Sequence, residues 1–160
     1  MSITVRTAEE KDIPAIQALV KAVLADTDEA ALKRLFKRVY SEEALQKSLR
    51  STGASMFLAE VEGKTAGLCQ FGSPLIDDCE DRKEIHRLYV HPDYLKAGVG
   101  EALVKAVEDD LNEDAEVKRV SVYVNPDSQM PLVRFYAAQG FHHDQIEDKD
   151  DEWYMEKPVR

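Results

Sequence analysis

Cysteine is scarce in this chain: Cys69 and Cys79 are its two thiols. Their spacing fits no zinc or redox motif, and reduced thiols are the cytosolic default, so a disulfide scaffold is set aside. Long hydrophobic runs are missing too. None approaches the roughly 18–20 apolar residues that span a bilayer. The opening "MSITVRTAEEKD" lacks the apolar region of a secretory signal. The reading is a cytoplasmic protein with no membrane partner. Basic residues are outnumbered, 21 Lys and Arg against 31 Asp and Glu, for a net charge of −10. A phosphate backbone is held by Lys and Arg, so nucleic acid is not an expected partner. Histidine is limited to His86, His91, His142 and His143. Neighbours such as His142 and His143 point to opposite faces of a strand, and no metal site is expected.

What is present is enough for one globular domain over residues 1–160, with 44% hydrophobic residues for a core. Acidic clusters lie at Asp77–Asp81 and Asp144–Glu152. They read either as a solvated surface or as a field that attracts cationic substrates.

The patterning is mixed. Ile3–Arg6 reads as a strand. Asp12 reads as an N-cap, with Pro14 near the first turn and Ile13, Ile16, Leu19, Val20 and Val23 at helical spacing. A second helix carries Leu32, Leu35, Phe36 and Val39. A third starts at Ser41, with Leu45 and Leu49 on its apolar side. "SMFLAEVEGKTAGLCQFGS" reads as a hairpin turning at Glu62-Gly63-Lys64. "KEIHRLYV" and "KRVSVYV" read as strands on either side of an amphipathic helix bearing Val99, Leu103, Val107 and Leu111. "PLVRFYAAQG" has the Pro start and Gly finish of a short helix, and "FHHDQI" and "EWYMEK" close the chain as paired strands. Strand–helix–strand units argue for an α/β fold, with helices packed on a mixed sheet.

With seven glycines in all, Gly98 and Gly100 stand out. They follow Pro92, which ends a strand, and they open a helix. A glycine inside a helix costs about 1 kcal/mol relative to alanine. Glycines let the backbone turn and come close to a ligand. The first N–H groups of a helix lack internal partners and favour an anion. The physical reading is a phosphate or pyrophosphate site. A Walker loop is disfavoured by Glu101-Ala102 after Gly100, and the dinucleotide fingerprint by Leu103 where it needs a third glycine. The alternative is that the glycines only let the helix pack close to the sheet.

The ordered pair Val90-His91-Pro92 with Leu95-Lys96-Ala97-Gly98-Val99-Gly100, then Gln129–Phe141 with "RFYAAQGF", resembles the GNAT superfamily of acetyl-coenzyme A dependent N-acetyltransferases. The opening "ITVRTAEEKDIPAI" resembles that family's first strand and helix, so the likeness covers nearly the whole chain. It implies a mostly antiparallel mixed sheet, splayed at the acetyl-CoA site beside "LYV", with helices on both faces. Backbone groups of Leu88 and Val90, flanking Tyr89, would pair with the pantetheine arm. The N–H groups of Lys96, Ala97, Gly98, Val99, Gly100 and Glu101 would hold the pyrophosphate. Two positions depart from the pattern. Leu95 stands where Gln or Arg is usual. Gln129 stands where an Asn often contacts the arm; Asn125 is a nearby alternative that also reads as a turn residue before Pro126.

The resemblance further implies that Tyr136 protonates or hydrogen-bonds the departing thiolate, with Phe135 as the buried aromatic beside it. Glu84 occupies the place of the basic glutamate in the histone-modifying branch. Ile85 is out of phase with Leu88 and Val90, as a β-bulge near His86-Arg87 would make it. Glu84 also reads as a partner of Arg82, Lys83 or Arg87, and His86 is an alternative base. The acceptor would be an amine, small or on a peptide, and cationic. The combination with "EIHRLYVHP" resembles the polyamine-acetylating, PaiA-like branch. Residues 26–40 and 71–81 would form acceptor walls. Dimers are common in this family. A non-catalytic acyl-CoA sensor, or an interaction module with purely structural glycines, are the other readings.

Overall fold

The structure is a computed structural model that describes residues 2–76 and 79–160. Asp77 and Asp78, part of one acidic cluster and of one expected acceptor wall, lie outside the described residues. Among the described residues seven strands run β1 (Ile3–Thr7), β2 (Ala54–Val61), β3 (Lys64–Gly72), β4 (Arg82–Val90), β5 (Arg119–Val124), β6 (His142–His143) and β7 (Trp153–Pro158). The α-helices of these residues are α1 (Ile13–Val23), α2 (Glu29–Leu35), α3 (Glu42–Arg50), α4 (Val99–Asn112) and α5 (Met130–Ala138). The sheet order is β1-β2-β3-β4-β5-β7-β6. Pairing is antiparallel for β1 with β2, β5 with β7 and β6 with β7, and parallel for β4 with β5.

The chain divides into two compact units. Residues 1–70 and 87–103 form the first; residues 71–86 and 104–160 form the second. In the first unit the helical stripes read from the sequence become core. Ile13, Ile16, Leu19, Val20 and Leu45 are buried with Met56, Leu58 and Leu68, and Leu35, Phe36, Val39 and Leu49 pack on them. Ser41 caps α3 as expected, its Oγ accepting from the Ala44 N–H at 3.2 Å. The hairpin turns on Glu62 and Gly63, with φ of 52° and 80°. Both central residues are left-handed, as a two-residue turn that matches the strand twist requires.

Asp12 stands at the N-cap position of α1 as expected, but corrects one expectation about its side chain. Its side chain does not cap α1. Both carboxylate oxygens accept from the Arg6 guanidinium at 2.8 Å, and one also accepts from the Glu9 N–H at 2.8 Å. A bidentate guanidinium offers more than one terminal N–H, and the turn Glu10–Asp12 presents the carboxylate to it.

In the second unit the described residues Val120, Val122, Val124, Val133, Tyr136, Phe141, Tyr154 and Met155 are buried. The closing strands form, but β6 shrinks to two residues because Asp144 leaves the ladder to cap the turn Gln145–Glu147. Its Oδ1 accepts from the Ile146 N–H at 3.1 Å. Asp148 accepts from the Tyr154 N–H at 2.7 Å and faces His143 Nε2 at 2.9 Å, while His143 stacks on Trp153. Two members of the acidic segment 144–152 are thus structural acceptors. No helix among the described residues is long and apolar enough to cross a membrane.

Candidate active site

The first unit holds the glycine turn. β4 ends at Val90, and the His91 N–H donates to the Ala66 carbonyl at 2.8 Å. His91 then steers the chain out of the strand, its Nδ1 accepting from the Asp93 N–H at 3.1 Å. Pro92–Tyr94 form one helical turn, and Leu95 to Ala97 lead to Gly98. Gly98 has φ of +87°, where an L side chain costs about 1–2 kcal/mol. Gly100 lies in the first turn of α4 without a left-handed φ, and it is buried. The first helical bond of α4 runs from the Ala102 N–H to the Gly98 carbonyl, 3.1 Å. That makes Gly98 the cap, and it puts the N–H groups of Gly98, Val99, Gly100 and Glu101 ahead of any i→i−4 acceptor. The Ala97 N–H is used within the turn, donating to the Tyr94 carbonyl at 3.2 Å. Lys96 is exposed beside it. Leu95 is 68% exposed, so its side chain is not a core anchor.

A third glycine, unremarked in the sequence, fixes where this turn sits. A Cβ on Gly67 of β3 would come within 2.7 Å of Val99 Cγ1, 2.9 Å of Leu103 Cδ1 and 3.1 Å of the Tyr89 carbonyl oxygen. Val99 and Leu103 are fully buried. The start of α4 therefore rests on bare β3 backbone. The only sequence signal was a glycine inside a strand pattern, which marks close approach.

The same contacts orient the end of β4. The His91 N–H and the Tyr89 carbonyl both face β3. Main-chain groups alternate edges along a strand, so those of Leu88 and Val90 are directed to the opposite edge. Tyr89 turns its ring to Tyr40, hydroxyl to hydroxyl at 2.8 Å, and Arg87 Nη1 donates to the Tyr40 oxygen at 3.3 Å. Tyr40 is buried at the end of a π-helical turn, Phe36–Tyr40. Burial, and then the Tyr89 phenol, push its pKa well above the ordinary tyrosine range.

The second unit holds Glu84, His86, Gln129 and Tyr136. β4 is unbroken from Arg82 to Val90. Glu84 is buried, with Oε1 3.5 Å from Arg82 Nη1 and Oε2 3.9 Å from His86 Nε2. Of the partners weighed for Glu84, the structure thus supplies Arg82. His86 Nε2 also lies 2.9 Å from the Ser73 carbonyl. A carbonyl only accepts, so that nitrogen carries a proton. The parallel register of β4 with β5 covers Arg82 to Glu84 opposite Arg119 to Ser121. Gln129 begins α5, but its Oε1 accepts from the Asn125 N–H at 3.2 Å. Asn125 is the turn residue, its Oδ1 accepting from the Asp127 and Ser128 N–H groups.

Tyr136 corrects a second expectation. It, rather than Phe135, is the fully buried aromatic of α5, 1% exposed against a half-buried Phe135. Its ring packs edge-on against Phe135 and Phe141 at 5.2 and 5.1 Å between centroids. Cys69 is inert, burial alone pushing its thiol up to about 12.

The family model described as an acetyltransferase (GNAT) domain matches residues 23–154. No curated protein matches the chain. Among solved structures, it is similar to a PaiA N-acetyltransferase from Thermoplasma acidophilum in complex with coenzyme A. The TM-score is 0.82 and the identity 20%, over 99% of each chain. It is also similar to an alanine N-acetyltransferase for a ribosomal protein from Escherichia coli, with a TM-score of 0.73 and 19% identity over 99% of this chain and 94% of that one. A GNAT-family acetyltransferase from Streptococcus pneumoniae matches with a TM-score of 0.75 and 21% identity, over 99% of this chain and all of the other. The model match spans most of the sequence and takes in both the glycine turn and the "RFYAAQGF" block, and the chain belongs to the GNAT acetyltransferase family.

Proposed function

We propose that the protein transfers an acetyl group from acetyl-CoA to a cationic primary amine, with a polyamine as the class to try first. The observation that carries this is the start of α4. Gly98 caps it with a left-handed φ, and four N–H groups precede the first helical bond at Ala102. Such an array fits a pyrophosphate without a side-chain ligand. The outward main chain of Leu88 and Val90 suits an extended arm added alongside β4.

In the reaction the amine nitrogen forms a bond to the thioester carbonyl carbon, and the carbon–sulfur bond breaks. The amine loses a proton to Glu84, to His86 or to water. The departing sulfur takes one from the Tyr136 hydroxyl. An alkyl ammonium has a pKa near 10.4, so removal of that first proton is needed at neutral pH. The net charge of −10 favours a polycation among amines. A second reading, a non-catalytic acyl-CoA sensor, draws on the Glu84–Arg82 pairing, which occupies the candidate base.

Calorimetry with acetyl-CoA, followed by thiol release with spermidine, spermine, free amino acids and lysine-bearing peptides, separates the readings. Binding together with turnover of spermidine or spermine is expected. Binding with no turnover on any amine would favour the sensor, and no binding would remove both.

A further inference from the structure

α4 carries an acid where its first turn would receive an anion. With Gly98 as the cap, Val99 and Gly100 open the helix and Glu101 is its third residue. A glutamate at that place reaches back along the helix toward the cap. This one does: its Oε2 lies 3.6 Å from the point that a Cβ on Gly98 would occupy. Ile3 Cδ1 lies 3.8 Å from the same point, so one acid and one aliphatic side chain flank the cap. A helix start favours a carboxylate for the same reason that it favours a phosphate. Glu101 is exposed, so its side chain can swing aside without breaking core packing. Between Pro92 and Leu103 the charged residues are Asp93, Lys96 and Glu101, two acids to one base in a turn read as an anion site.

We propose that Glu101 is the resident anion of this turn and sets which ligands hold it. Its carboxylate stabilises the start of α4 in the protein alone, and it opposes the pyrophosphate of coenzyme A, which binds by displacing it. This rests on the reading of the turn as the pyrophosphate site. Two charges of one sign about 4 Å apart in water repel enough to change an affinity about fivefold. The energy that overcomes this repulsion comes from the rest of the ligand, above all from the arm laid alongside the outward main chain of Leu88 and Val90. A nucleoside diphosphate such as ADP brings a pyrophosphate but no arm. It meets the same repulsion with less to offset it. Glu101 is therefore a specificity-determining residue, one that keeps armless diphosphates from occupying the turn.

The test is calorimetry with coenzyme A on the full chain, Glu101→Gln and Glu101→Lys, beside thermal unfolding of each without ligand. Glu101→Gln is expected to bind coenzyme A about fivefold more tightly than the parent, and Glu101→Lys more tightly still. Added salt should shrink both gains. Without ligand the same variants should melt below the parent, because the helix start has lost its acid. A residue that only holds the helix together would weaken coenzyme A binding when removed, so the opposite signs separate the two roles. Glu29→Gln is the control: it takes an equal charge from the exposed first turn of α2 and should leave the affinity unchanged. Equal or weaker binding by folded Glu101→Gln, or the same gain in Glu29→Gln, overturns the proposal. In competition, ADP should displace coenzyme A from Glu101→Lys at a lower concentration than from the parent. ADP that displaces it no more readily from Glu101→Lys overturns the selective role. Coenzyme A that binds neither parent nor variants removes the pyrophosphate reading itself, whereas tight binding indifferent to residue 101 removes Glu101 alone.

Discussion

The hydroxyls of Tyr40 and Tyr89 lie 2.8 Å apart, joining the π-helical turn after α2 to the last third of β4. Arg87 reaches the same oxygen and lies 5.6 Å from the Tyr40 ring centre. β4 is thus gripped through Tyr89 on the same strand that turns the main chain of Leu88 and Val90 outward. Tyr40→Phe removes one hydrogen-bonding hydroxyl from a buried group and leaves two partners to repair. The expected loss is about 1–3 kcal/mol in urea unfolding. The raised Tyr40 pKa sets a pH dependence as well. The unfolded phenol ionises near pH 10, and the folded one resists. Stability from this source is whole below about pH 10 and falls as pH climbs above it. Tyr40→Phe should flatten that alkaline fall.

Gly98→Ala forces an L side chain to φ of +87°. Space is available, since the nearest atoms to a new Cβ are 3.6 Å and 3.8 Å away, so the cost is conformational. We expect about 1–2 kcal/mol of stability to be lost, with weaker coenzyme A binding by calorimetry. Gly67→Ala has ordinary φ but no room, and overpacking typically costs about 1–3 kcal/mol. An unchanged melting temperature for Gly67→Ala would refute the close approach of α4 to β3.

Leu95 is exposed beside the turn. If backbone N–H groups make the anion site, Leu95→Ala leaves the coenzyme A dissociation constant unchanged. Leu95→Arg adds an exposed charge pair worth about 0.2–1 kcal/mol, which is a gain of at most about fivefold. A large loss in Leu95→Ala would show that the side chain itself contributes.

Tyr136→Phe keeps the ring between Phe135 and Phe141 and removes the hydroxyl alone. General acid catalysis contributes typically about 10²- to 10⁴-fold. The variant should lose turnover on that scale, with coenzyme A affinity retained. Full turnover in an active preparation would rule out the acid role.

Asp12 answers acid rather than base. Its hydrogen bonds from Arg6 hold its carboxyl below the ordinary range. That stabilisation is present above the usual carboxylate pKa and is lost as pH falls through the lowered folded value. Asp12→Asn should cost about 1–3 kcal/mol near neutral pH. The gap to the parent should close in acid, as read from denaturant midpoints across pH.

Much of the frame was legible because it rests on local chemistry. The stripes of α1 and α4, the Ser41 cap and the hairpin turn read at Glu62-Gly63-Lys64 each depend on neighbours a few positions apart. Asp12 was placed correctly at the N-cap, but its side-chain partner was not legible because Arg6 arrives from β1. That Tyr136 is more buried than Phe135 was not legible, because adjacent residues of a short helix differ in burial only through what packs on them. Gly67 passed unnoticed since its reason, Val99 and Leu103, lies far along the chain. Arg82 shows the same limit: in sequence it is one charge among many, while in the fold it is buried with Ser121 and Tyr154 among its contacts.

By itself the sequence determined the order of strands and helices, the acidic surface and the glycine-opened helix, since periodicity, net charge and backbone freedom are properties of short segments. Tertiary structure decided which of those groups are spent on one another. It gave Asp12 to Arg6, the Gln129 oxygen to the Asn125 N–H and Arg82 to Ser121 of the neighbouring strand, because hydrogen bonds and ion pairs depend on distances and angles that the sequence pattern does not state.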